Sequence, residues 1–139
     1  MEYGALIAFH TAHKLILMAH SPEAYRTLGR LVARAHGVPR EDLQRRYSER
    51  FMSALTVITT PRRHANVLQH MAGYFKNLLD RESKAELAAA VDDYRRGLVP
   101  LVVPVTLVRH YVRLHNVSYL VGQLYLDPHP KELMLRNHV

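Results

Sequence analysis

Marks that start helices recur along this chain, and between them the apolar residues fall at three- and four-residue steps. That combination commits most of the sequence to α-helix. Ser21-Pro22-Glu23 sets a capping hydroxyl, a proline that needs no N–H and an acid at the positive end of a helix that Gly37 should stop. Thr60-Pro61 repeats the start, and Ser83-Lys84-Ala85-Glu86 reads as a capping box whose helix stops near Gly97. Asp127-Pro128 reads as a turn or a short new start.

The spacing predicts helices over roughly 4–19, 22–36, 40–58, 61–79, 84–97 and 102–115, with shorter helical pieces to the end. Expected core stripes are Leu43, Tyr47, Phe51, Leu55, then Leu68, Met71, Phe75, Leu78, and then Leu87, Val91, Tyr94, Leu98. Ala5, Ala8, Ala12 and Ala19 form a small-residue face on the first helix, suited to a close helix neighbour. The valine-rich stretch from Leu98 to Val108 imitates a strand, but Pro100 and Pro104 would remove ladder donors, so a helix entered through prolines fits better. With 139 residues, the expectation is an all-α, compact single domain over 1–139: a bundle of about six main helices plus short C-terminal helical pieces.

Composition narrows the chemistry. At 48% hydrophobic and 22% charged residues, the chain is neither disordered nor fibrous. Without a single cysteine it has no disulfide, no thiol nucleophile and no thiolate to hold zinc or an iron–sulfur cluster. The apolar run from Met1 to Ala19 carries His10, His13 and Lys14, so it lacks the ~20 uninterrupted apolar residues of a membrane span. A cytoplasmic protein with no membrane partner is expected.

The formal charge is +7 with histidine neutral, from 19 basic and 12 acidic residues, and the basic ones are 15 Arg to 4 Lys. A polyanion is the natural partner, since guanidinium groups fork onto phosphate and stack on bases. Arg26, Arg30 and Arg34 line one face of the second helix, either as a solvated face or as phosphate contacts. In the third helix, Glu41 with Arg45 and Asp42 with Arg46 are expected i,i+4 pairs. The fourth helix opens Thr60-Pro61-Arg62-Arg63-His64, with guanidinium groups beside free N–H groups, and its polar face runs on through Asn66, His70, Gly73 and Asn77. Gly73 either leaves room for a ligand or permits a close helix crossing. The sixth helix turns Thr106, Arg109, His110 and Arg113 away from Val105, Val108 and Val112. His10 and His13 are three apart, but the i,i+4 histidine pair of a zinc helix is missing. No phosphate loop, dinucleotide fingerprint or nucleophile elbow is present, so no catalytic constellation and no cofactor is indicated.

Longer strings carry a resemblance. His13-Lys14-Leu15-Ile16-Leu17-Met18-Ala19-His20-Ser21-Pro22 and Tyr25-Arg26-Thr27-Leu28-Gly29-Arg30-Leu31-Val32-Ala33 resemble the bacterial YbgA-like family. So do Arg63-His64-Ala65-Asn66-Val67-Leu68-Gln69-His70, Gly73-Tyr74-Phe75-Lys76, Asp93-Tyr94-Arg95-Arg96-Gly97-Leu98-Val99-Pro100-Leu101 and the closing Pro128 to His138. That family is a domain of unknown function, found alone or fused behind an iron–sulfur domain related to thiouracil desulfidases and implicated in removing sulfur from 4-thiouridine in transfer RNA. The resemblance implies that this domain supplies the RNA-binding half, with transfer RNA or another structured RNA as partner and a separate iron–sulfur desulfidase protein as a second.

On that basis Lys14, Arg30, Arg62, Arg63, Lys76, Arg95, Arg109 and Arg113 are candidate phosphate contacts, and Asn66, His70, His110, Asn137 and His138 candidates for sugars or bases. Tyr74, Tyr94 and Tyr111 are either stacking platforms or core. Two other classes stay open: a protein-interaction or self-associating scaffold, and a histidine-based metalloenzyme using some of His10, His13, His64, His70 and His110. Replacing Arg63 by Ala should weaken RNA binding and lower its salt dependence by about one phosphate unit, read from a binding series over salt. Unchanged affinity and slope would remove Arg63 from the contacts.

Overall fold

The computed structural model describes residues 3–127. It is all-α, with α1 (Tyr3–His20), α2 (Pro22–Ala33), α3 (Arg40–Leu55), α4 (Pro61–Ala72), α5 (Arg81–Arg95) and α6 (Val102–His115), plus 3-10 turns at Ala35–Gly37 and Gly73–Phe75. No helix among the described residues is long and apolar enough to cross a membrane.

The helix starts follow local chemistry. Ser21 Oγ accepts from the Ala24 N–H at 3.1 Å and Thr60 Oγ1 from the Arg63 N–H at 3.2 Å. Each such cap is worth ~1 kcal/mol. The capping box at Ser83 is not used: α5 begins at Arg81, because Asp80 accepts the Ser83 N–H at 2.7 Å and places an anion at the positive helix end. That backbone bond also holds the Asp80 carboxyl below its ordinary pKa.

Several ends come earlier than the periodicity suggests, because final turns tighten to satisfy orphan carbonyls. Gly37 N–H bonds Arg34 O at 3.0 Å beyond α2, and Thr56 N–H bonds Ser53 O at 3.2 Å beyond α3, where the Thr56 hydroxyl donates to the same carbonyl at 2.6 Å. α5 closes as expected near Gly97, whose φ of 76° allows Leu98 N–H to reach Asp93 O at 2.8 Å and Gly97 N–H to reach Tyr94 O at 2.9 Å. α6 is a helix despite its valines, with Pro104 in the first turn where no N–H is missed. After the left-handed Asn116, residues 117–127 run as hydrogen-bonded turns, so no short helix follows α6 among the described residues.

The helices fall into two compact units that divide after Ile58. In the first, α1, α2 and α3 pack on one another around Leu6, Leu17, Leu28, Leu43, Tyr47 and Phe51. The alanine face of α1 packs only in part: Ala19 is buried and Ala12 half-buried, but Ala5 and Ala8 are exposed while Leu6, His10 and Leu17 turn inward. Each leucine buried contributes ~1.5–3 kcal/mol, far more than an alanine methyl. In the second unit, α4, α5 and α6 pack pairwise around Leu68, Met71, Phe75, Leu87, Val91, Tyr94, Val105, Val108 and Tyr125. Leu78 and Leu98, assigned to core stripes by spacing, are 45% and 63% exposed because each lies past the end of its helix.

Buried His10 shares a 2.9 Å hydrogen bond between Nδ1 and the Tyr47 hydroxyl. Burial, then the nearby Lys14 and His13 charges, lower its pKa from 6.5 to about 4. The unfolded chain therefore binds this proton more readily than the folded one, and stability falls as pH drops from 6.5 towards 4. Denaturant melts at neutral and mildly acidic pH should show a loss approaching ~3 kcal/mol from this group. His10→Gln should flatten that part of the pH profile.

Candidate functional site

Eleven of the thirteen sequence-proposed contacts are placed, and Asn137 and His138 lie outside the described residues. Lys14 and Arg30 belong to the first unit, where Lys14 is half-buried on α1 and Arg30 is exposed on α2. Arg26, Arg30 and Arg34 are all exposed and make no ion pair among the described residues. On α3 the expected pairs do not form. Arg45 instead sits between Asp42 at 3.5 Å and Glu49 at 4.0 Å, one turn to either side, leaving Arg46 outside them.

The remaining contacts belong to the second unit. α4 buries His64, Ala65, Val67, Leu68 and Met71, which leaves Arg62, Asn66, Gln69, His70 and Gly73 exposed and Arg63 half-buried. Its N-terminus is a poorer anion site than the sequence suggests. Thr60 takes the Arg63 N–H through its side chain and the His64 N–H through its carbonyl at 3.0 Å, and Pro61 has none to offer. Of the polar face only Gly73 borders a groove of about 460 Å³ between the end of α4 and α5, and Arg63, Asn66 and His70 do not line it.

The groove's apolar walls include Phe75, Leu79, Leu87 and Val91, and its polar residues are Gln69, Lys76, Lys84, Asp92 and Arg95. A Cβ built on Gly73 would meet nothing within 4 Å among the described residues, so this glycine opens the rim and does not admit a crossing helix. The register of α5 aligns Lys84, Ala88, Asp92 and Arg95 at four- and three-residue steps beside Leu87 and Val91. Arg95 bonds Asp92 Oδ1, and Arg96 Nη1 lies 3.7 Å from Asp92 Oδ2. Lys76 and Lys84 make no ion pair among the described residues.

Lys76 and Arg95 are thus brought together, joined by Lys84, Gln69 and Asp92, which the sequence reading passed over. Lys84 falls inside the Ser83–Glu86 capping-box pattern, which hides it as a site residue. The spacing of α5 held the signal, but the partner wall from α4 is a tertiary fact.

Arg109 and Arg113 line a second, shallower groove of about 510 Å³ with Leu120, Leu124 and Leu126. There Arg109 Nη2 lies 3.8 Å from Asp127 Oδ1, an exposed pair worth little. His110 is exposed on α6 with its ring 5.5 Å from that of Tyr111. Tyr94 and Tyr111 are core residues, and burial pushes the Tyr94 hydroxyl up to about 12. Half-buried Tyr74 stacks on Tyr119 at 4.6 Å and meets His70 edge-on at 5.8 Å.

The described histidines are not grouped as metal ligands. Among the described residues no cluster of three or more His, Asp or Glu could hold a metal ion. His13 Nδ1 donates to Phe9 O at 2.7 Å, His20 Nδ1 to Val57 O at 2.8 Å, and His64 Nδ1 shares a 2.6 Å bond with the buried Tyr125 hydroxyl.

Comparison with known proteins agrees with the residue strings. A family model described as "Protein of unknown function (DUF1722)" matches residues 14–130. The "Uncharacterized protein YbgA" of Escherichia coli (strain K12) is 38% identical over 135 residues, covering 96% of this chain and 80% of that protein. No solved structure matches significantly. With most of its length matched and this level of identity, the chain belongs to the DUF1722 family, the YbgA-like domains of unknown function.

Proposed function

We propose that the chain is an RNA-binding module that recognises transfer RNA as the targeting part of a thio-modification or desulfidation system. The observation that carries the reading is the α4–α5 groove, where Lys76, Lys84 and Arg95 surround an apolar interior. Cations supply the affinity that a phosphate backbone returns by counterion release, and apolar walls suit the faces of bases. The overall charge of +7 works in the same direction, drawing a polyanion to the surface before contact. The resemblance supplies the particular RNA. With no cysteine in these 139 residues, sulfur chemistry at a thiolate-held cluster would fall to thiolates from outside them.

A second reading, protein interaction, draws on the first unit, where the exposed Phe9 and Met52 border an apolar groove of about 190 Å³ between α1 and α3. A tight complex that survives nuclease treatment would favour it.

The test is binding of the purified protein to transfer RNA, with and without 4-thiouridine, against duplex DNA over a salt series. The double variant Lys76→Ala/Lys84→Ala should bind transfer RNA roughly tenfold more weakly and lower the slope of log K against log salt by about 1.5. Binding that is equal for every polyanion and indifferent to these lysines would reduce the groove to general electrostatics.

A further inference from the structure

If the α4–α5 groove is an RNA site, its walls decide which part of the RNA enters. A groove that only tracks a backbone needs cations and no apolar floor, yet this one is built on Phe75, Leu87 and Val91. Its volume of about 460 Å³ is that of a small-molecule site. The size and lining suit one unstacked nucleotide better than a duplex, whose bases are covered by their neighbours.

One carboxylate stands among the cations. Asp92 is half-buried in the wall, with Oδ1 bonded by Arg95 and Oδ2 near Arg96. The two guanidinium groups offset its charge, so it does not repel a phosphate held at Lys76 and Lys84. They also leave acceptor sites, since an ionised carboxylate offers about four lone pairs. Two carboxylate oxygens side by side complement two adjacent N–H donors. Guanine presents such an edge, with its ring N–H beside an amino group. Uracil offers a single N–H between two carbonyl oxygens, either of which would face the carboxylate oxygens.

We propose that the groove holds a single unpaired nucleotide, with phosphate at Lys76 and Lys84 and the base edge read by Asp92, selecting guanine over uracil. This rests on the RNA reading above and adds base selection to it.

Fluorescence anisotropy with labelled pentaribonucleotides tests it. UUGUU should bind roughly tenfold more tightly than UUUUU, and replacing the central guanosine by inosine, which lacks the amino group, should remove most of the gain. Asp92→Asn should bring UUGUU to within about twofold of UUUUU when both are measured on that variant. The inosine comparison uses the unaltered protein, so it stands even if the variant is poorly folded. Equal affinity for the three pentamers, or no binding of any, overturns base selection, and the RNA reading survives if transfer RNA still responds to the lysine variant. Transfer RNA binding that ignores the lysine variant overturns both.

Discussion

The ring of Phe75 anchors the surface of the second unit. It is almost fully buried, its centroid is 5.9 Å from that of Tyr111, and its carbonyl accepts from Leu78 and Leu79 at 3.0 and 3.1 Å. Phe75 closes the 3-10 turn that ends α4, and a 3-10 turn advances further around the axis per residue than an α-helix does. Had α4 continued, Leu78 would have followed Met71 and Phe75 into the core. With the turn in place Leu79 is buried instead, Leu78 is left outside, and Gly73 and Lys76 stand at the rim of an opening whose floor is Phe75 itself. Packing and site are therefore one feature: the residue that completes the core also forms the groove.

This explains what could be read from the sequence and what could not. The helices and most of their starts were legible, because Ser21, Thr60 and the prolines after them act on their own backbone within a few residues. So was the end of α5, where Gly97 supplies a left-handed residue that few others adopt without strain. The errors fall where two local solutions compete. Asp80 and Ser83 each offer a cap, and the anion takes the position. Ala5 and Leu6 each begin a helical stripe, and the larger apolar side chain takes the core. The groove was half legible. Lys76 and Arg95 stand out as basic residues within the strings that carry the resemblance, whereas Lys84, Asp92 and Gln69 acquire meaning only when α4 and α5 face each other.

Excess charge alone does not mark a binding face, because many of the cations are locally engaged. Arg45 is shared between two acids, Arg95 and Arg96 converge on Asp92, and Arg109 reaches toward Asp127. These exposed pairs contribute little to stability, but they lower the local potential. Lys76 and Lys84 have no such partner among the described residues, and they flank the apolar side chains of the α4–α5 groove. Arg26, Arg30 and Arg34 are equally unpaired, but they lie along a single exposed helix face.

Ten histidines in a chain without cysteine invite a metal reading, and their placement argues for a different use. In each unit one histidine is buried and joined through Nδ1 to a tyrosine hydroxyl, His10 to Tyr47 and His64 to Tyr125. A buried imidazole costs several kcal/mol unless its polar atoms are satisfied, on the order of the penalty for any unpaired polar group. The tyrosine is thereby constrained to one geometry, linking helices or turns that apolar packing alone would let slide. His20 does a smaller version of the same task by donating to the Val57 carbonyl beyond α3, whereas His13 donates to Phe9 within its own helix. His70 and His110 remain on the surface, beside aromatic rings. The described histidines therefore largely serve the packing, and it is lysines, an arginine and one carboxylate that line the α4–α5 groove.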